Sequence, residues 1–241
     1  HLRDFGKLFS VSFFSSGLLQ INIFIGTIIA SYESGAISYL YYADRIYQLP
    51  LALIGIAMGI VLLPAISFKI SKNLTSEINQ TIENTVKFAL LLSIPSAVGL
   101  YVLPDMIVNV LFERGQFDTE STLNTAIALK YYSLGLVAFI LLKIYTPIFF
   151  AYENARPALY VTFINLIMNT GISVVLFINL GFVGIVIGTS ISAWFSVIIM
   201  QFYLNNLNYY KLKSSLILPM FIIFISSLIL FFYLQFLKAY I

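Results

Sequence analysis

Between Arg45 and Lys69 the chain runs through Ile46–Phe68 without a charged side chain. A hydrocarbon core of about 30 Å takes roughly 20 helical residues to cross, so this run is long enough to span a bilayer. It is not alone: Leu8–Tyr32 and Ser214–Leu237 are also uncharged, and one uncharged stretch runs from Pro157 to Tyr210. That last stretch holds two spans, with Asn179-Leu-Gly181 as the turn between them. Phe88–Pro104 extends to about Leu111 past Asp105, and Leu123–Tyr152 is interrupted only by Lys130 and Lys143. The expected spans are therefore 8–32, 38–67, 86–111, 123–151, 157–178, 182–205 and 214–237. In lipid every backbone group must be satisfied internally, and barrel strands would be shorter and alternate in polarity. The fold class is an all-α polytopic membrane bundle of about seven helices.

Composition agrees. Charged residues make up 10% of the chain and hydrophobic ones 60%, against about 25% charged in a soluble domain. With no cysteine and His1 as the one histidine, disulfides, thiolate metal sites and histidine-based acid–base chemistry are excluded. The start at His rather than Met suggests a piece of something longer. No phosphate-cradling glycine loop, nucleophile elbow, His-Glu-x-x-His or paired membrane carboxylate occurs, and no basic-aromatic patch suggests nucleic acid.

Basic residues orient the bundle. With the N-terminus inside, the inner segments carry Arg3, Lys7, Lys69, Lys72, Lys87, Arg156, Lys211 and Lys213, and the outer ones Arg45, Arg114, Lys130 and Lys238. A cytoplasmic N-terminus follows. Residues 69–87 read as a polar amphipathic linker, Tyr152–Pro157 as a turn, and 206–241 as a helix added to a six-helix unit at 1–205.

Polar groups at membrane depth are expensive and face cavities or partners. Asp44 and Arg45 stand first. Neighbours on a helix point about 100° apart, so they need not pair; Arg45 either snorkels outward or faces inward to bind an anion through its fork of donors. Pro50 and Pro64 bracket Gly55-x-x-x-Gly59, a pattern for close helix packing or for a hinge. Asn165 and Asn169 share a face of the fifth span, Ile185 and Thr189 repeat the spacing on the sixth, and Gln20 and Asn22 lie mid-span on the first. Their oxygens suit either ordinary interhelical hydrogen bonds or a sodium ion. Lys143 either snorkels inward or lines a polar path, and Lys130 is interfacial.

Three motifs carry a resemblance. Tyr41-Tyr-Ala-Asp-Arg45, with Gln48-Leu-Pro50, Gly55-Ile-Ala57 and Leu62-Leu-Pro-Ala-Ile-Ser67, resembles the signature of the MurJ (MviN) family. Leu111-Phe-Glu-Arg-Gly-Gln-Phe117 and Phe150-Ala-Tyr-Glu-Asn-Ala-Arg-Pro157 resemble two further stretches of the same proteins. These are lipid II flippases of peptidoglycan synthesis in the bacterial inner membrane, within the MATE-like MOP exporter superfamily. The likeness implies one lobe of a two-lobe, fourteen-helix transporter, covering its seventh to thirteenth helices, with the N-terminal lobe as partner and lipid II and membrane lipids as ligands. It implies transport rather than bond-making chemistry, no cofactor, and coupling to sodium or to the membrane potential. Arg45 matches the family's cavity arginine, with Asp44 and Gln48 beside it as substrate-site residues; Gln48 stands where the family often has an acid. The family's sodium site falls on Asn22, Asn165, Asn169, the Ile185 carbonyl and Thr189, none of them a carboxylate. The alternatives are another MOP exporter, of polysaccharide lipids or drugs, or a membrane scaffold that transports nothing.

Overall fold

The fold is known from a computed structural model that describes residues 2–212 and 216–240, without the side chains of residues 2–12 and of Ser15. Arg3, Lys7 and Lys213 of the charge count, His1, and the start of the last expected span at Ser214 therefore lie outside the described residues or side chains. The described chain is helical throughout: α1 (Leu2–Ala30), α2 (Ala36–Pro50), a π-helical turn (Leu51–Ile56), α3 (Ala57–Ser71), α4 (Thr75–Val102), α5 (Pro104–Phe112), α6 (Thr119–Ala151), α7 (Arg156–Leu180), α8 (Phe182–Asn206) and α9 (Ile217–Tyr240). Among the described residues six helices are long and apolar enough to cross a membrane, α2 to α3 counting as one, and Ser16–Ala30 of α1 forms a shorter apolar stretch.

Two expectations change, and the second span, found whole, gains a detail. The third span does not continue to Leu111: it breaks at Leu103 (φ −115°, ψ 32°), and Pro104 opens α5 at its first turn. Proline disfavours the helical conformation in the residue before it and suits a helix's first turn. The linker 69–87 is mostly helix, because α4 starts at Thr75. Ile78, Ile82 and Val86 recur four apart and are buried, which gives this polar-looking segment one apolar face. The second span is one continuous rod with a π turn in it. Pro50 has no N–H to donate to the preceding turn, and just beyond it the ladder widens, with the Ala57 N–H donating to the Ala52 carbonyl.

Helix α6 is the hub, packed against α2, α3, α4, α5 and α8. Ala126, Leu129, Leu136, Ile140, Ile144 and Ile148 along it are fully buried. On one side α8 carries α7, and α7 carries α1. On the other side α4 carries α9, which touches the bundle almost only there. Large apolar side chains elsewhere point outward, Phe224, Phe232 and Ile178 among them, as a lipid-solvated bundle requires.

The glycine pattern on α2–α3 serves packing. A Cβ on Gly59 would lie 2.6 Å from the Lys143 carbonyl oxygen and 3.4 Å from the Pro147 ring, and one on Gly55 would lie 3.3 Å from the Ile140 Cα. Pro147, four residues after Lys143, has no N–H to give that carbonyl. The bare backbone of Gly59 therefore lies against the one carbonyl that Pro147 frees. Aromatic rings fasten the membrane-edge loops: Tyr152 stacks on Tyr209 at 3.8 Å with planes 3° apart, and the Asn154 amide donates to the Tyr209 hydroxyl at 3.3 Å.

Candidate functional site

Asp44 and Arg45 leave α2 in different directions. Arg45 points outward; its guanidinium lies 4.6 Å from the centre of the Tyr41 ring, and Nη2 donates to the Tyr41 hydroxyl at 3.1 Å. The ion pairs of the described residues are Lys69–Glu77, Lys87–Glu83 and Lys238–Asp105, so among them Arg45 has no carboxylate within ion-pair distance. A ring face under a guanidinium holds the charge in place without neutralising it. Most of the fork of donors remains open to an anion.

Asp44 turns toward the lobe interior. Its carboxylate accepts hydrogen bonds from the Tyr47 hydroxyl and from the Gln48 amide. Tyr47 in turn packs on Tyr132 and Phe139 of α6, with ring centres 4.8 and 5.4 Å apart. Asp44 therefore makes no ion pair with Arg45, though the two charges lie near enough to feel each other. The departure at Gln48 also has a local reason. An acid one turn from Asp44 would face a like charge, whereas an amide donates to it. Of Arg45, Asp44 and Gln48, only Arg45 is left facing outward.

A second cation lies beside the same rod, on the helix packed against it. Lys143 on α6 is exposed and sits where Gly55 and Gly59 touch that helix. Ten residues separate Arg45 from Gly55, about 15 Å of helix at 1.5 Å per residue. Lys130, nearer the end of α6, places its ammonium 5.1 Å from the centre of the Tyr101 ring.

The residues expected to share an ion do converge. The Asn169 amide donates to Asn22 Oδ1 at 2.9 Å, and Asn22 Nδ2 faces Asn165 Oδ1 at 3.5 Å. Thr189 Oγ1 lies 3.3 Å from Asn169 Oδ1 and 2.8 Å from the Ile185 carbonyl. Two residues missed in the sequence complete the cluster. Ser173 donates to Asn169 Oδ1 at 3.1 Å, and Ser196 accepts from the Asn165 amide at 2.8 Å. Their signal was the four-residue spacing after Asn169 and after Ser192. Gln20 does not join: it is exposed, two positions from Asn22 and so on another face.

Glu33 was also missed. From the α1–α2 turn its carboxylate accepts the Phe182 N–H at 2.6 Å, satisfying a free donor at the start of α8. Gly181 precedes it with φ +59°, and a Cβ there would meet Glu33 Oε2 at 2.6 Å. Finally, α9 stands off α6 and α8 and leaves an apolar groove of ≈ 750 Å³, lined by residues such as Leu90, Tyr101, Val137, Trp194 and Phe224.

This arrangement has relatives. The sequence profile of the family described as "Lipid II flippase MurJ" matches residues 1–240. The chain belongs to the MurJ family. It is 43% identical over 183 residues to a probable lipid II flippase MurJ of Rickettsia prowazekii, covering 76% of this chain and 36% of that protein. It is 40% identical over 186 residues to one from Rhizobium meliloti, covering 77% and 35%. A solved lipid II flippase MurJ in an inward closed conformation superposes with a TM-score of 0.81 at 29% identity, over 97% of this chain and 48% of that one. A MOP superfamily transporter from Pyrococcus furiosus, 12% identical, superposes over 93% of this chain and 51% of that one with a TM-score of 0.67 and shares the fold. The chain thus spans about a third of these curated MurJ relatives and about half of the solved MurJ chain.

Proposed function

We propose that this chain is the C-terminal lobe of a bacterial inner-membrane transporter that flips lipid II, the lipid-linked peptidoglycan precursor, by alternating access. The observation that carries the reading is Arg45: a family-matching cation, steadied by Tyr41, with no carboxylate of the described residues within ion-pair distance and facing away from the lobe core. A diphosphate crossing a low-dielectric layer needs charge-assisted donors, and guanidinium forks match its oxygens. Arg45 binds the diphosphate in a cavity closed by the partner lobe. Asp44, tied to Tyr47 and Gln48, makes no ion pair with Arg45 and leaves its fork of donors free. No bond is made or broken; the protein is a transporter, not an enzyme.

Two further features suit a lipid cargo. The groove beside α9 is lined mainly by apolar side chains and is fit for a long hydrocarbon tail. Lys143, on α6 beside the Gly55–Gly59 stretch of the rod, adds a second cation deeper in the lobe. The excess of basic residues on one side supports a cytoplasmic N-terminus for the chain. The test is replacement of a bacterium's own flippase by the gene product that carries this chain, followed by Arg45→Ala and Arg45→Lys. Growth is expected with the unaltered gene and lost with Arg45→Ala despite normal membrane levels. Full growth of Arg45→Ala would remove Arg45 from the mechanism.

A further inference from the structure

The cluster joining α1, α7 and α8 holds oxygens of the kind sodium prefers, and its three asparagine oxygens and the Ile185 carbonyl already accept hydrogen bonds from within it. Asn22 Oδ1 accepts from Asn169, and Asn165 Oδ1 from Asn22. Asn169 Oδ1 accepts from Ser173, with Thr189 Oγ1 at 3.3 Å. The Ile185 carbonyl accepts from Thr189, with Ser173 at 3.5 Å. The remaining amide, of Asn165, is taken up by Ser196, whose own proton goes to the Ser192 carbonyl at 2.8 Å. The cluster is closed on itself, and Asn169, Ser173 and Ser196 in it are buried.

It also has no charge. Neither α7 beyond Arg156 nor α8 contains an acidic or basic residue, and none occurs in Ser16–Ala30 of α1. Among the described residues no three or more His, Cys, Asp or Glu side chains gather to hold a metal ion. A sodium ion entering here would break satisfied hydrogen bonds and leave a full positive charge at membrane depth with no counter-charge, an unfavourable exchange. A neutral network whose members already hydrogen-bond one another is stable as it stands. The residues therefore do not fit the ion that the family resemblance implies.

We infer that this cluster is a neutral hydrogen-bonded latch, fastening α1 to α7 and α8, and that it does not bind sodium. If the transport reading above holds, the ion coupling of the cycle does not pass through this site; the latch itself does not depend on that reading. The latch also explains why the asparagines and serines recur at four-residue spacing: each faces a partner on the next helix.

Thermal unfolding of the purified chain in sodium chloride and in choline chloride, at equal ionic strength, tests this without any transport assay. A native site filled at about 100 times its Kd would raise the midpoint by several degrees; the unaltered chain is expected to unfold at the same temperature in both salts. Asn22→Asp combined with Asn169→Asp supplies the missing charge at the same geometry, and is expected to gain a saturable upward shift in sodium alone. Asn169→Asp by itself serves if the double variant is not recovered folded. A saturable sodium shift in the unaltered chain, lost in Asn165→Ala, overturns the inference. So does a folded aspartate variant that is indifferent to sodium.

Discussion

Replacing Gly59 by alanine puts a methyl group 2.6 Å from the Lys143 carbonyl oxygen, about 0.8 Å inside the 3.4 Å at which ordinary contact begins. Neither side can yield cheaply. The carbonyl belongs to the backbone of α6, the most enclosed helix of the bundle, and the Pro147 ring lies 3.4 Å away on the same side. The two rods must separate locally, and the packing of Leu62 and Ile66 against α6 loosens with them. Overpacking of this kind costs about 1–3 kcal/mol, which outweighs the roughly 0.5–1 kcal/mol that alanine gains over glycine inside a helix. For a chain of this size 1 kcal/mol moves the midpoint by about 2–4 °C, so thermal unfolding in detergent should fall by roughly 2–8 °C. Gly171→Ala is the control, since a Cβ there meets nothing within 4 Å; it should leave the midpoint unchanged or raise it slightly. Equal midpoints for the two variants would refute the claim that Gly59 exists to admit the carbonyl freed by Pro147.

Glu33→Ala removes the acceptor for the Phe182 N–H and should cost about 0.5–2 kcal/mol, as loss of a helix cap does, whereas Glu33→Gln should lose less; thermal midpoints of the pair decide it. Acid should weaken the loop between α5 and α6. The Ser121 backbone and side chain hold the Asp118 carboxylate below its ordinary pKa of 3.8, and Thr122 and then Asn109 hold Glu113 below 4.5. Folded values lower than unfolded ones mean stabilisation that is complete above those ordinary values and lost as the pH falls through the lowered ones. Asp118→Asn should flatten the acid side of a stability–pH profile between about pH 5 and pH 2, and an unchanged profile would assign the acid sensitivity elsewhere. Arg45→Lys should retain partial function where Arg45→Ala has none, because lysine keeps the charge but not the fork; growth curves of the complemented strains separate the two.

Hydropathy located α6, α7 and α8 to within a few residues, because charge-free runs and Asn179-Leu-Gly181 mark their ends directly. It passed over Leu103, where Pro104 was the available signal, since an apolar run looks continuous through a proline. It also misread 75–87, where the apolar stripe Ile78, Ile82 and Val86 is diluted by polar neighbours that average out its periodicity. At the site, spacing said that Asn165 and Asn169 share a face but could not say what lies opposite. Asn22, Ser173 and Ser196 are brought there by helix packing alone. The orientation of Asp44 is of the same kind: helix geometry said only that it need not pair with Arg45, and the position of Tyr47 and Tyr132 shows where the carboxylate turns. Glu33 had no local signal, since its partner is 149 positions distant.

The central claim is that an outward-facing Arg45 holds the diphosphate of a lipid carried across the membrane. The most direct measurement is the leaflet distribution of lipid II in cells whose only flippase carries this chain, with and without Arg45→Ala. Loss of a charge-assisted hydrogen bond is worth about 1.5–3 kcal/mol, a factor of roughly 10–150 at 1.4 kcal/mol per decade. The variant should therefore expose at most about a tenth of the normal amount of lipid II on the outer leaflet while building it up inside. An unchanged outer-leaflet fraction at equal protein level would contradict the claim.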